Sequence, residues 1–508
     1  MATVSYLKGL NFQDGNSILM AIFGNDVAFF SGGNWVGQAQ NLVPGAYEVT
    51  MGKKYAFMSG LGALPRVISS TGVFSKTINL ENAPQAKSVY YMSDRVYFGN
   101  VVINGDSYQR RIFYTDIIEK DDGVVWGLEY GSDLVQTAGS ETVTSVSAYF
   151  KRSNIKVGDP FLILNGGNAG TYYVDEVTSD SAIVLDRALS LSATGSKFLV
   201  GGNWFDVDNA LETMGEHYGI LLGFEKDKVW RYNQSIGRKP IIGAKGTTSV
   251  KSVVSNHRGY TFWYHPSDGI LQYNGSTATT ISNKIAPILE GMTEANYDDV
   301  VGWPGVGKYK DHVYFYIGNS SFKVNGESFS LTNVVIDYNI SRSRFKVYEY
   351  NTQITCATTF IETNKDVVYL GTPDSVVLKF NDGNSDYNTT ANDGSTLPIR
   401  TYLVTHPIFP SGVEIENHFD KQYAWADSGT GIKSKYKLYG TPNKNDSDWN
   451  ELMEINDQYE ENKIPPQKAQ ARGIAFMVEE ISTNESFEFL GFSFIYSVVG
   501  EVFSDELS

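Results

Sequence analysis

Gly302-Trp303-Pro304-Gly305-Val306-Gly307-Lys308 has the spacing of a phosphate-binding loop as far as its lysine. That chemistry needs a following Ser or Thr for magnesium and a helix whose N-terminus faces the phosphates. Here Tyr309 follows, then the strand-like run Val313-Tyr314-Phe315-Tyr316, so a Gly-rich turn between repeated modules is the better account. Asp382-Gly383-Asn384-Ser385-Asp386 resembles the start of a calcium loop, but Tyr387 stands where the sharp turn requires glycine. A polar loop is expected there. The six histidines, His217, His257, His265, His312, His406 and His418, form no His-Glu-x-x-His pair, and no Gly-x-Ser-x-Gly elbow exists. Asp94, Asp227, Asp311 and Asp366 recur ahead of apolar runs. Two or three of them meeting at one channel would suit glycoside hydrolysis, whereas a turn aspartate bonded to its own backbone explains each separately. The single cysteine, Cys356, lies in an apolar run and reads as a small buried hydrophobe. The expectation is a protein that is not an enzyme, with no catalytic, cofactor-binding or metal-binding residues and no cofactor.

The elements that hold these residues repeat. A polar turn, then four to six residues of alternating Val, Tyr and Phe, then a Gly- or Asn-rich exit, occurs as Asp94–Gly99, Asp227–Tyr232, Arg258–Tyr264, Asp311–Tyr316 and Asp366–Gly371, with a weaker copy at Asn25–Phe30. β-Branched and aromatic residues suit a pleated, half-buried surface, and Asp, Asn and Gly suit turns. Between Ser88 and Asp116 three or four strands are predicted, with an Asn104-Gly105 hairpin turn. That is the size of one propeller blade. The predicted fold is all-β: a β-propeller over 1–135 and 203–383, interrupted at 136–202 by a small β-barrel rich in Thr and Ser. A polar linker at 384–395 leads to a β-sandwich over 396–500, with an excursion at Asn443–Gln470, and an acidic tail covers 501–508. A helix is expected at Asp208–His217, and a short second one at Asn283–Leu289, limited by Pro287.

Composition sets bounds. At 508 residues the chain predicts two to four domains, and its 42% hydrophobic and 13% aromatic content supports packed cores. The formal charge is −16, and residues 441–508 hold fourteen Asp or Glu against four Lys or Arg, so −10 of it sits there. An acidic chain does not grip nucleic acid by neutralising phosphates. It is compatible with a surface past which nucleic acid slides. One cysteine excludes an internal disulfide framework. The longest early apolar run, Ile18–Phe23, is far short of a bilayer span, so synthesis in a cytoplasm without membrane insertion is expected.

One stretch carries a resemblance. Gly243-Ala244-Lys245-Gly246-Thr247-Thr248-Ser249 leads into Gly259–Tyr264, then Asp268-Gly269-Ile270, Asn274-Gly275 and Ile281-Ser282-Asn283. This progression resembles the tail nozzle, or tail hub, proteins of short-tailed bacteriophages. Arg95–Asp116 upstream and Val334–Tyr348 downstream are similar to other phrases of that family. The resemblance covers roughly 1–135 and 203–500. It implies a structural virion protein located in the viral tail and assembled in the host bacterial cytoplasm. It further implies a homo-oligomeric, commonly hexameric, ring below the portal and adaptor, touching other tail proteins and tail fibres. Viral DNA would pass through during DNA ejection without specific binding. The family has no catalytic residues to carry over. A rival reading is a carbohydrate-binding or carbohydrate-cleaving propeller with Trp263 and Trp303 as exposed platforms. Their place at alternating strand positions or turn edges favours burial in the core instead.

Overall fold

The second strands of the repeated modules are apolar on both faces, as in Arg95–Ile103 and Tyr260–His265, where nearly every residue is buried. A strand covered on both sides must lie between two other sheets. The computed structural model resolves this as seven radial sheets around one axis. It describes residues 2–380 except 32–33, 39–41, 43–46, 76–82, 104, 119–125, 234, 236, 325–326 and 363. Beyond 380 it describes 385–387, 396–398, 401–404, 410, 415–427, 432–439, 450–455, 459–463, 470–480 and 488–501.

Each blade is an antiparallel meander. From the axis outward, blade 1 is Val4–Asn11, Ser17–Phe23, Asp26–Ser31 and Asn34–Gln38. Blade 2 is Tyr47–Met51, Ala56–Gly60, Ala63–Ile68 and Phe74–Ser75. Blade 3 is Gln85–Met92, Arg95–Ile103, Asp106–Tyr114 and Trp204–Asp206. Blade 4 is Leu211–His217, Ile220–Glu225, Val229–Asn233 and Gly237–Pro240, and blade 5 is Val254–His257, Tyr260–His265, Gly269–Tyr273 and Ala278–Thr280. Blade 6 is Val301–Pro304, His312–Val324, Glu327–Asn339 and Arg344–Glu349, and blade 7 is Cys356–Glu362, Lys365–Gly371 and Val377–Lys379. The inner strands follow one another in order, and that of blade 7 packs back on that of blade 1. The amide of Val4 donates to the Thr372 carbonyl at 3.1 Å, and the Gly9 amide to Thr358 Oγ1 at 3.0 Å, across this closure.

The repeated phrase therefore does not mark one equivalent strand. It opens the second strand of blades 3, 5, 6 and 7 but the third strand of blades 1 and 4.

Between the third and fourth strands of blade 3 the chain builds a closed barrel. Its strands are Glu129–Gln136, Thr142–Thr144, Pro160–Ile163, Gly170–Val177, Ala182–Leu185 and Ala193–Val200. Its core includes Phe150, Phe161 and Phe198, the last two stacked at 5.6 Å. The expected start at 136 is late, because Glu129–Gln136 pairs with Ala193–Val200 and belongs to the barrel.

The expected helix at Asp208–His217 is not formed. Leu211–His217 is the inner strand of blade 4, paired with Ile220–Glu225 through the tight Tyr218-Gly219 turn. A bulge between Leu211 and Thr213 places Leu211 and Met214 in one core cluster. Three-residue spacing on one face imitates a helical period. The second expectation holds as a 3₁₀ turn, Ser282–Ile285, running into the helix Ala286–Glu290, where Pro287 sits at the helix start.

By contacts the chain divides into two compact units. One holds Met1–Phe329, Asp337–Phe345 and Ile354–Phe380; the other holds Ser330–Ile336, Lys346–Gln353 and Asn381–Ser508. The second unit contains a hairpin (Ser385–Tyr387 with Thr396–Pro398) and two further antiparallel sheets. One is Thr401–Val404, Gly473–Glu480, Ile432–Tyr439 and Asn450–Ile455; the other combines Tyr459–Lys463, Ile415–Asp427, Gln470–Ala471 and Glu488–Glu501. The expected excursion at Asn443–Gln470 thus supplies two sheet strands, since Asn450–Ile455 and Tyr459–Lys463 each find a longer strand to pair with. The calcium-like residues Asp382 to Asn384, most of the linker, His406 and nearly all of the acidic tail lie outside the described residues. No helix among the described residues is long and apolar enough to cross a membrane.

Candidate functional site: the polar axis and the joints between blades

The inner strands bring polar side chains to the axis at positions flanked by apolar ones, as in Tyr47-Glu48-Val49 and Ala86-Lys87-Ser88-Val89. Glu48, on blade 2, is the centre of this network. Its Oε2 accepts from Ser88 Oγ at 2.7 Å and from the Val89 amide at 3.0 Å, both on blade 3. Its Oε1 accepts from Thr213 Oγ1 on blade 4 at 2.8 Å. One carboxylate therefore ties three successive blades. Burial pushes the Glu48 carboxyl above the usual carboxylate range, against the pull of these donors and of Lys8.

Neighbouring contacts continue the ring. Ser88 Oγ accepts from the Met214 amide at 3.1 Å, and Ser255 Oγ from the Glu216 amide at 3.1 Å. Tyr6 Oη accepts from the Val49 amide at 2.8 Å, and Lys87 pairs with Glu212. Lys251 Nζ, in the 3₁₀ turn Val250–Ser252 that leads into blade 5, donates to the Thr355 carbonyl just ahead of blade 7 at 2.8 Å. Sequence reasoning singled out none of these residues. The only signal was a polar residue interrupting an otherwise apolar strand.

The joints between blades use the phrases that carry the phage resemblance. In Gly246-Thr247-Thr248-Ser249, a Cβ on Gly246 would lie 1.6 Å from the Glu225 carbonyl oxygen, so only glycine fits. Thr247 donates its amide to that same oxygen at 3.0 Å, and Ser249 Oγ donates to the Val300 carbonyl at 2.6 Å. This segment fastens blade 4 to blade 5 and blade 5 to blade 6. In Asp268-Gly269-Ile270 the Ile270 amide donates to Ser282 Oγ at 2.9 Å, and a Cβ on Gly269 would sit 2.3 Å from that oxygen. The Asp-Gly-Ile and Ile-Ser phrases are thus two halves of one interlock. Asn274 Oδ1 accepts from the Ser276 and Thr277 amides at 2.9 Å, which closes the Asn-Gly turn.

The recurring aspartates do not converge. Asp94 and Asp311 lie at turns between first and second strands and Asp366 at the start of the second strand of blade 7, whereas Asp227 lies between second and third strands, at the opposite end of its meander. Nor is self-bonding the role of the first two. Asp94 Oδ1 accepts from Tyr91 Oη at 2.9 Å and Oδ2 faces Lys53 Nζ at 3.4 Å, while Asp311 pairs with Arg258 at 2.7 Å. The turns are made by backbone. Ser93 and Asp94, Tyr218 and Gly219, and Arg258 and Gly259 all adopt positive φ, the signature of tight hairpins that match strand twist.

The histidines are held individually. His312 Nδ1 lies 2.6 Å from Asp337 Oδ1 and its Nε2 2.8 Å from Asn339 Nδ2. Asn339 Oδ1 already accepts from the Arg342 amide, so its amide group donates to His312. Both ring nitrogens are therefore engaged. His257 Nε2 contacts the His312 carbonyl at 2.7 Å, and His217 Nδ1 faces Thr261 Oγ1 at 3.2 Å. Burial holds His217, His257 and His265 below the ordinary histidine range. Among the described residues no three His, Cys, Asp or Glu side chains cluster to hold a metal ion.

The phosphate-loop-like segment is the inner strand Val301–Pro304 followed by the 3₁₀ turn Gly307–Tyr309, inside blade 6 rather than between blades. A Cβ on Gly302 would come 2.6 Å from the Ser252 carbonyl. Trp263 and Trp303 are fully buried, Trp303 stacked on Tyr314 at 5.7 Å, so neither is an exposed platform. Cys356 is buried, its thiol pushed up to about 11 by burial, with Sγ 3.5 Å from the Val4 carbonyl.

No family model and no curated protein matches the sequence. Among solved structures the chain is similar to a streptogramin B lyase, at 10% identity, TM-score 0.38, over 75% of this chain and 94% of that one. It is also similar to BamB from Moraxella catarrhalis, at 12% identity, TM-score 0.34, over 71% and 90%. The computationally designed Ika8 protein gives 10%, 0.36, 74% and 95%.

Proposed function

We propose that this chain is a structural protein of a bacteriophage tail, a subunit of the nozzle or hub ring that joins the portal–adaptor assembly and forms part of the gated channel for DNA ejection. The observation that carries the reading is where the resembling phrases fall. Gly246–Ser249, Gly269-Ile270 and Ser282 act as joints between neighbouring strands and blades, which is the role a scaffold asks of its most characteristic residues. Glu48 on the inner strand of blade 2 is bonded to the inner strands of blades 3 and 4. In this reading the conduit is the bore of a homo-oligomeric, six-fold ring and not the axis of one propeller. The body is non-enzymatic and needs no cofactor.

The net charge of −16 suits that role. Lysines and arginines facing a bore would exchange condensed counterions for phosphate contacts and retain the DNA, whereas an acidic or neutral lining releases it. Electron microscopy of purified virions or of the assembled tail tests the proposal. The expected result is a closed ring of this chain on the tail axis with few Lys or Arg in its bore. A monomer off the axis refutes the conduit, and a lysine- and arginine-lined bore refutes the electrostatic part.

A further inference from the structure

Resting on the ring reading above, we propose that neighbouring copies of this chain meet head to tail through blade 6, the basic end of one copy docking on the acidic shoulder of the next. In a chain of net charge −16, four exposed cations gather at one end of this blade. Lys308 and Lys310 stand at the turn before its second strand, and Arg342 and Arg344 at the turn into its fourth. The two turns are locked together. The Ile340 amide donates to the Asp311 carbonyl at 2.8 Å, the Arg342 amide to Asn339 Oδ1 at 2.9 Å, and Asn339 meets His312. The carboxylate on these turns, Asp311, is taken by Arg258 at 2.7 Å. Lys308, Lys310, Arg342 and Arg344 have no carboxylate partner among the described residues. Lys284 Nζ, 3.5 Å from the Ser343 carbonyl, adds a fifth positive charge.

The opposite charge lies toward the other end of the same blade. Residues 286–300, which lead into it, carry exposed Glu290, Glu294, Asp298 and Asp299 and no Lys or Arg. None of the four has an ion pair among the described residues. Their segment is held against the far part of the second strand. Met292 bridges Ser320, the Gly291 carbonyl accepts from the Ser321 amide at 2.9 Å, and Asn296 Nδ2 donates to the Asn319 carbonyl at 3.5 Å. Ser320 is eight residues past His312 on the strand His312–Val324, about 26 Å at roughly 3.3 Å per residue. Lys323, on that strand, offsets one of the four negative charges. Both ends belong to the first compact unit, so one blade carries both signs at a set separation.

The charge balance points to a second copy as the occupant. Copies of net charge −16 repel one another, so a ring of them needs opposite charges at its contacts. Rotation about a ring axis relates each copy to the next. The two ends of one blade therefore meet two different neighbours, and the contact repeats until the ring closes. Exposed ion pairs are individually weak. Four cations facing four carboxylates nonetheless steer encounter, reject like-charged approaches and set register. The locked turns help, because little backbone freedom is lost on docking.

Sedimentation velocity of the full chain tests this, with two charge-reversed variants whose folding is checked by circular dichroism. One carries Lys308→Glu, Lys310→Glu, Arg342→Glu and Arg344→Glu. The other carries Glu290→Lys, Glu294→Lys, Asp298→Lys and Asp299→Lys. Wild-type association beyond the dimer should weaken about tenfold or more from low to high salt, as screening shortens the reach of the charges. Each variant alone should associate at least about tenfold more weakly than wild type, and an equimolar mixture should recover assembly, since the ends of each then complement those of the other. If either reversal does not fold, the single variants Arg342→Glu and Asp298→Lys, alone and mixed, give the same readout. A mixture that fails to recover assembly, variants that associate as wild type does, or a wild-type chain that stays monomeric or stops at a dimer overturns the contact. Retention of duplex DNA by the wild-type chain and not by the first variant also overturns it, by assigning the basic end to nucleic acid. Whether the tail holds a ring of this chain is decided separately, by the microscopy above.

Discussion

At the scale of single residues, glycine and carboxylate positions make separable demands. Gly246 is required for space and Gly259 for backbone conformation: Gly246 has a carbonyl oxygen 1.6 Å from where a Cβ would stand, while Gly259 has φ +88 and open space around it. Gly246→Ala should therefore destabilise by about 3 kcal/mol or more, through forced displacement of the blade 4 backbone. Gly259→Ala should cost about 1 kcal/mol, the strain of a left-handed alanine. Denaturant titration of both variants checks the order, and equal effects would contradict it. Glu48→Ala leaves the Ser88 and Thr213 hydroxyls and the Val89 amide without their acceptor. A loss of about 3 kcal/mol in unfolding free energy is expected, since each buried donor left unsatisfied costs roughly 1–3 kcal/mol before relaxation.

The buried histidines set a pH dependence with a definite sign. His217, His257 and His265 all titrate lower in the fold than in the unfolded chain. Above the unfolded value of about 6.5 both states are neutral and nothing is lost. As pH falls through that value the unfolded chain takes protons that the folded one refuses, so stability drops. The unfolding midpoint should fall between pH 7 and pH 5, and replacing His257 by Gln should flatten part of that slope. A midpoint independent of pH over this range would exclude the mechanism.

At the scale of elements, the barrel has its own core, Phe150, Phe161 and Phe198 among others, yet Leu199 also packs with Trp126 and Leu128 in the cluster of blade 3. Asp116 clamps the base, accepting from Asn203 Nδ2 at 2.8 Å and Asn154 Nδ2 at 2.6 Å. Replacing 129–200 by a short Gly-Ser linker should leave a β-rich, monodisperse propeller with a lowered unfolding midpoint. Replacing only 138–200 strands Glu129–Gln136 without its partner Ala193–Val200, and that exposed edge should promote aggregation. Circular dichroism and size-exclusion chromatography distinguish the two. Global unfolding of the 129–200 deletion would show that the propeller depends on the barrel.

For the whole molecule, closure relies on ordinary packing and a few hydrogen bonds. The first strand of blade 1 meets the first strand of blade 7 with Val4, Leu7, Cys356 and Phe360 in one cluster, and Thr355 Oγ1 donates to the Val4 carbonyl at 2.5 Å. Native-state hydrogen exchange should find the amides of Val4 and Gly9, which bond across this seam, opening at lower free energy than those of the second strand of blade 5. Strong protection of the seam equal to that of blade 5 would argue for a single cooperative unit.

The propeller and the barrel were legible because their signals are local. Turn residues next to aromatic, β-branched runs report strands without reference to anything distant, and a change in composition reports a separate core. Buried Trp263 and Trp303 were legible for the same reason, their strand positions being set by periodicity. Local signals failed where a strand carried an irregularity, as at Leu211–His217, whose bulge gives a strand a helical spacing. They also failed to separate second strands from third, because both are apolar runs after a polar turn. The axial network was beyond reach. Glu48, Ser88 and Thr213 lie 40 to 165 positions apart in pairs that touch, and nothing in a single strand says which polar residue turns toward the axis. Composition and short-range pattern determined that the chain makes blades. Only closure of the ring decided which side chains meet at its centre, because that contact is set by the angle between sheets and not by the residues within any one of them.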